Sequence, residues 1–289
     1  MGFSFSQRSK VGSQVRKIAA KQIDAALADI ATSEDFDHTV HELRRRCKKI
    51  RGLLRLVRPN FPDFVAENLA FRKAANALSA SRDAAVMLET FDAVFKDGHS
   101  ETHRALRGCL EDNVRRISRE QDRTGLLDNF AEAMTTNRLR VKNWTFEAQG
   151  FALIEPGLHD TYALMRKRLK AAEKTVEDED FHEWRKQTKG HWFQVSLLKD
   201  CAPDRLGARK DQLDRLGEYL GDHHNLAVLA EGLETLAGPL DSAVAKTIAR
   251  HKDDLAKRAF VLGRQLTVES PKALVSRFEK FWKLLPKED

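Results

Sequence analysis

Apolar residues recur every three or four positions along this chain, and no stretch alternates convincingly with the period of two that marks a half-buried strand. The pattern predicts helices over about 11–30, 38–58, 63–95, 100–119, 126–146, 159–174, 181–200, 205–236, 241–266 and 271–284, after an extended lead over residues 1–9. Turn formers punctuate them: Pro59 and Pro62, Asp97-Gly98, Gly150 with Pro156-Gly157, Cys201-Ala-Pro203 and Gly238-Pro239. Asp37 and Asp180 stand where N-caps of the second helix in each half are expected. A kink is expected near Asn76–Ser81 in the long third helix. The Gly/Pro-rich stretch Gln149–Leu158 divides the chain into 1–150 and 151–289.

One predicted helix departs from the ordinary amphipathic pattern. Over 40–58, VHELRRRCKKIRGLLRLVR, the residues Val40, Leu43, Cys47, Ile50, Leu54 and Val57 form a buried stripe. Within an arc of roughly 120° on the other side lie His41, Arg44, Arg45, Lys48, Arg51 and Arg55. Eight Lys/Arg against one Glu give this segment +7, as large as the surplus of the whole chain. Solvated helix faces usually mix signs at i,i+4 spacing, and this one does not. Gly52 interrupts the arc, at a cost of about 0.5–1 kcal/mol relative to alanine. A missing side chain there admits something close to the helix backbone.

The motif occurs twice. Aligning His41 with His182 in FHEWRKQTKGHWFQVSLLK (181–199) pairs Glu42 with Glu183, Arg44 with Arg185, Arg45 with Lys186 and Lys48 with Lys189. The stripe repeats as Phe181, Trp184, Thr188, His191, Val195 and Leu198. Downstream, Leu78, Arg82, Asp83 and Val86 match Leu220, His224, Asn225 and Val228, and Lys142–Trp144 matches Lys280–Trp282. Offsets near 140 residues imply an internal duplication of one helical unit. The second basic face is thinner, with Gly190, His191, Trp192 and Phe193 where the first has Lys49, Ile50, Arg51 and Gly52.

Composition narrows the function classes. A hydrophobic fraction of 42% suits a globular helical protein. A sequence pI near 9.3 favours an anionic partner. No run approaches the length of a membrane-spanning segment. The three cysteines, Cys47, Cys109 and Cys201, are far apart and imply no disulfide framework, so a reducing, cytoplasmic setting is expected. No GxSxG, HExxH or P-loop occurs, and no histidine cluster has zinc-ligand spacing, so neither catalysis nor a metal or cofactor is expected.

The HxxRxxxKK helix, its second copy HExRKxxK and the LxxxRD helix after the first resemble the CHAD (conserved histidine α-helical domain) family over nearly the whole chain. The second half departs from that pattern, with His224-Asn225 in place of Arg-Asp. The resemblance implies an all-α fold of two four-helix bundles related by a pseudo-twofold axis, with basic faces lining a central groove or pore. It also implies binding of inorganic polyphosphate and association with polyphosphate granules. The acidic ExExK strand of the CYTH triphosphatase domains sometimes fused to CHAD is absent.

On this reading the polyphosphate contacts are Lys21, His41, Arg44, Arg45, Lys48, Lys49, Arg51, Arg55 and Arg82 from the first half. From the second half they are Arg166, His182, Arg185, Lys186, Lys189 and His224. Arginine forks match phosphate oxygens, and lysine supplies a mobile point charge. His41 and His182 are expected to donate hydrogen bonds to phosphate, whereas His191, on the apolar stripe, reads as a core residue. The alternatives are an RNA or general polyanion surface, with Trp192 and Phe193 as the aromatic residues to stack bases, and a granule scaffold that recruits a protein partner.

Overall fold

A computed structural model describes residues 2–96 and 100–287, so the expected Asp97-Gly98 turn lies outside the described residues. The chain is all-helical, with eleven α-helices and no strand among those residues. In order they are α1 (Val11–Ala31), α2 (Phe36–Val57), α3 (Phe64–Ala77), α4 (Ser79–Phe95), α5 (Glu101–Glu120) and α6 (Arg123–Val141). Then follow α7 (Glu155–Thr175), α8 (Asp178–Leu198), α9 (Pro203–Ala237), α10 (Ser242–Leu266) and α11 (Pro271–Trp282).

The apolar stripes read from the sequence are the buried faces of α2 and α8. All twelve of their residues are at most 1 % exposed, the Cys47 thiol and the His191 ring included. The caps lie two or three residues earlier than the sequence suggests. Asp35, not Asp37, caps α2 by accepting from the His38 amide at 3.0 Å. Asp180 sits inside the first turn of α8 and accepts from the Thr175 hydroxyl. Three acids in that turn, Asp178, Glu179 and Asp180, complement the helix dipole. The long third helix breaks cleanly at Leu78, giving α3 and α4, whereas α9 runs unbroken for 35 residues.

Helices α1, α2, α3 and α6 pack on one another, as do α7, α8, α9 and α10, with α11 against α7. The α4–α5 hairpin leaves the first group and lies on α9 and α10. Phe91, Phe95, Leu106 and Leu110 there meet Leu226, Leu229, Leu233, Val244 and Ile248 in a satellite core. The main core is continuous from Phe5 to Leu285. The extended lead is pinned across it: Phe5 is fully buried against Trp282 and donates its amide to the Leu197 carbonyl, and Arg8 donates to that of Pro286.

Two glycines bring α2 against α7 and α8. Gly157 lies in the first turn of α7, which begins four residues before the expected start, with Pro156 at the position where a missing amide costs nothing. A Cβ on Gly157 would overlap the Leu56 carbonyl oxygen of α2. Gly52 faces Phe193 of α8, whose Cβ lies 2.5 Å from where a Gly52 Cβ would be. The neighbour admitted by the bare Gly52 is therefore a side chain of α8.

Gly157→Ala is expected to lower unfolding free energy by about 1–3 kcal/mol, because the backbone it meets cannot rotate away. Gly207→Ala, in α9 with open space around it, is expected to raise stability by up to about 1 kcal/mol. Urea denaturation of both variants checks the contrast.

Candidate functional site

The basic residues of α2 and α8 meet where these helices pack. Lys48 lies among Arg44 of its own helix and Arg185 and Lys189 of α8, with Asp83 of α4 the acidic group that acts on it. The Lys48 residue is partly open to solvent, although protein crowds its ammonium. Burial and the neighbouring cations push its pKa down to about 8. Arg55 crosses the seam: its Nη1 donates to the Lys186 carbonyl at 3.4 Å, and the same nitrogen lies against the bare face of Gly190. Burial, together with Arg58, lowers the pKa of Arg55, and burial alone does so for Arg185.

The supporting contacts differ between the two helices. Arg44 donates to the Ala75 carbonyl at 3.0 Å and lies 3.8 Å from Asp83, so the Asp of the LxxxRD helix orients a cation of α2. Arg51 donates to Asn68 at 3.1 Å and is crowded by Arg55 and Arg72. Lys49 stands 5.7 Å above the Phe3 ring. On α8, Lys189 pairs with Asp214 at 3.2 Å and Lys186 with Glu183 at 2.5 Å. The α2 face is partly neutralised as well, contrary to its sequence pattern: Arg45 pairs with Glu42, and Arg46 with Asp29 of α1.

His182 and His224 stack on each other with ring centroids 4.2 Å apart. Burial and adjacent cations depress both, His224 to about 4. Burial, ahead of Arg82 and Lys48, also lowers His41. Arg185 Nε and His182 Nδ1 are buried and have no hydrogen-bond partner among the described residues. His191 is a core residue as expected: it accepts from Arg209 at 3.2 Å, and burial holds its pKa well below the usual value.

Three other sequence-predicted contacts have different surroundings. Arg166 donates to the Thr267 carbonyl at the C-terminal end of α10, beside Tyr162 and Arg209. Arg82 pairs with Glu89 at 2.9 Å. Lys21 is exposed on α1. Conversely, Gly217 and Gly221 of α9 seat the cations of α8. The aliphatic end of Lys189 lies against the first, 3.0 Å from an added Cβ, and the Arg185 guanidinium against the second, at 3.4 Å. Their signal in the sequence is an i,i+4 glycine pair inside a long helix, which marks close approach.

Trp192 and Phe193, the two aromatics on this face, are already engaged. Lys189 and Lys210 stand 5.0 and 5.4 Å from the Trp192 ring centroid, and Phe193 is wedged against Gly52 and Phe3.

An all-α fold with paired basic helices defines the class, and comparison with known proteins gives the family. The CHAD domain family matches residues 17–234, and the chain belongs to it. Among solved structures it is similar to PptA from Streptomyces chartreusis, with TM-score 0.56 and 13% identity over 94% of this chain and 99% of that one. It is also similar to the CHAD domain from the plant Ricinus communis, with TM-score 0.56 and 15% identity over 99% of this chain and 96% of that one. No curated protein matches the sequence.

The folded-state pKa of His223 and of His224 is about 4, against 6.5 for a free imidazole. Between these values the unfolded chain binds more protons, so stability falls as pH drops through that window. Wild type is expected to lose urea resistance steeply between pH 6.5 and 4.5, and His224→Gln less so. Urea midpoints at the two pH values check this.

Proposed function

We propose that the protein binds inorganic polyphosphate, without catalysis, along the facing basic sides of α2 and α8, and that this binding targets it to polyphosphate granules. The observation that carries the reading is the Lys48 neighbourhood: three further cations from two helices act on its ammonium, and the acidic group that acts on it is the exposed Asp83. Such crowding destabilises the free protein and is relieved by a polyanion. Closely spaced phosphates suit it because Arg44, Lys48 and Arg55 follow one another along α2 within about 17 Å at 1.5 Å rise per residue. Membership of the CHAD family supports the same reading.

In this scheme Arg44, Lys48, Arg51 and Arg55 from α2 and Arg185 and Lys189 from α8 are the principal contacts. Arg45, Lys49 and Lys186 lie toward the margin. His41, His182 and His224 take up protons as phosphate approaches and then donate to its oxygens. Lys21, Arg82 and Arg166 contribute less, the last because its guanidinium already serves the end of α10. An RNA surface is disfavoured by Trp192 and Phe193, whose ring faces are covered by lysines and by packing.

Converting Arg44, Lys48 and Arg55 together to Glu is expected to weaken polyphosphate binding at least about hundredfold, since each substitution replaces attraction by repulsion. Helicity by circular dichroism should be unchanged. In competition at physiological salt, unlabelled polyphosphate should displace labelled polyphosphate, while single-stranded RNA, duplex DNA and heparin fade. Retained affinity in the folded triple variant, or equal competition by RNA at low and physiological salt, would overturn the assignment.

A further inference from the structure

Lys48 differs from the other cations around it in one chemical respect. Arg44 and Arg185 stay charged at any physiological pH. Lys48 is an amine, and among the described residues no carboxylate forms an ion pair with it. Its ammonium faces Arg44 and, more distantly, His41 on α2, Arg185 and Lys189 on α8, and Asp83 on α4. Lys189 has its own carboxylate in Asp214, and Lys186 has Glu183. Asp83 leans toward Arg44 and is itself 60% exposed. Lys48 is therefore the lysine of this cluster that most readily gives up its proton, a tendency in keeping with its value near 8. The residue is exposed to solvent over part of its surface, so a small reagent can reach it.

A neutral amine beside permanently charged guanidinium groups is suited to reagents that join an anionic handle to an electrophile. We propose that Lys48 is a site of N-acylation by small acyl phosphates, whose phosphate is held by Arg44 and Arg185 while the Lys48 amine attacks the acyl carbon. The Nζ lone pair forms the new C–N bond. The acyl C–O bond to phosphate breaks, and inorganic phosphate departs with the electron pair. The proton lost from nitrogen passes to that phosphate, so the products are the amide and hydrogen phosphate, and no further reactant is needed. The amide carries no charge, so the modification removes the central cation of the cluster and lowers its hold on a polyanion. The inference rests on the phosphate-binding reading of α2 and α8.

The test uses the unmodified full chain, acetyl phosphate at pH 8, and site-resolved mass spectrometry. Lys257 serves as reference, since its side chain is 77% exposed. Lys48 is expected to acylate roughly tenfold faster than Lys257, because Arg44 and Arg185 hold the phosphate end of the reagent beside its amine. Pyrophosphate should slow the reaction at Lys48 and leave Lys257 unaffected. Equal rates at the two lysines, or a Lys48 rate indifferent to pyrophosphate, overturns the inference. Polyphosphate binding by the same unacylated protein separates the two claims. Binding without Lys48 selectivity overturns the acylation alone, and Lys48 selectivity without binding overturns the proposed function alone.

Discussion

The close seam between α2 and the α7–α8 pair governs this molecule. Gly157 lets α7 ride on the α2 backbone, and Gly52 receives Phe193 of α8. With those contacts in place, the basic faces of α2 and α8 have no freedom to move apart. The apolar stripes behind them are fully buried, so neither helix can rotate its cations outward without exposing its share of the core. Charge repulsion that two free helices would relax by separating is instead held in the fold, at the expense of hydrophobic burial elsewhere.

That constraint explains the uneven treatment of individual charges. Arg46 and Arg45, away from the seam, have ordinary carboxylate partners. Arg55 and Arg185, within it, make do with a carbonyl, a glycine face or nothing, and their charged forms are disfavoured by burial. A protein under selection for stability alone would place acids there. The α9 helix provides glycines that leave room for Arg185 and Lys189, and its Asp214 pairs only with Lys189.

The α2 and α8 stripes, the helix-only architecture and the core position of His191 were all legible from spacing, because burial imposes a period that survives in one sequence. Helix starts were less so. Pro156-Gly157 has the composition of a linker, yet proline suits a first helical turn and Gly157 answers to the α2 backbone, a partner about 100 residues away. The docking of α4–α5 on α9–α10 left no local trace for the same reason. Among site residues, the α2 cations could be read directly from their arc. The grouping of Arg185 and Lys189 with Lys48 depends on how two helices pack, and so does the diversion of Arg166 to the end of α10.

The extended lead also bears on the order in which the fold can close. Phe5 lies against Trp282 and hydrogen-bonds to residue 197, and Arg8 reaches residue 286. None of these partners exists while the ribosome is still making α1 to α6. The first helices can therefore assemble early, but residues 5–8 must wait, solvated, until α11 has emerged. A segment made before α1 is thus among the last to be locked.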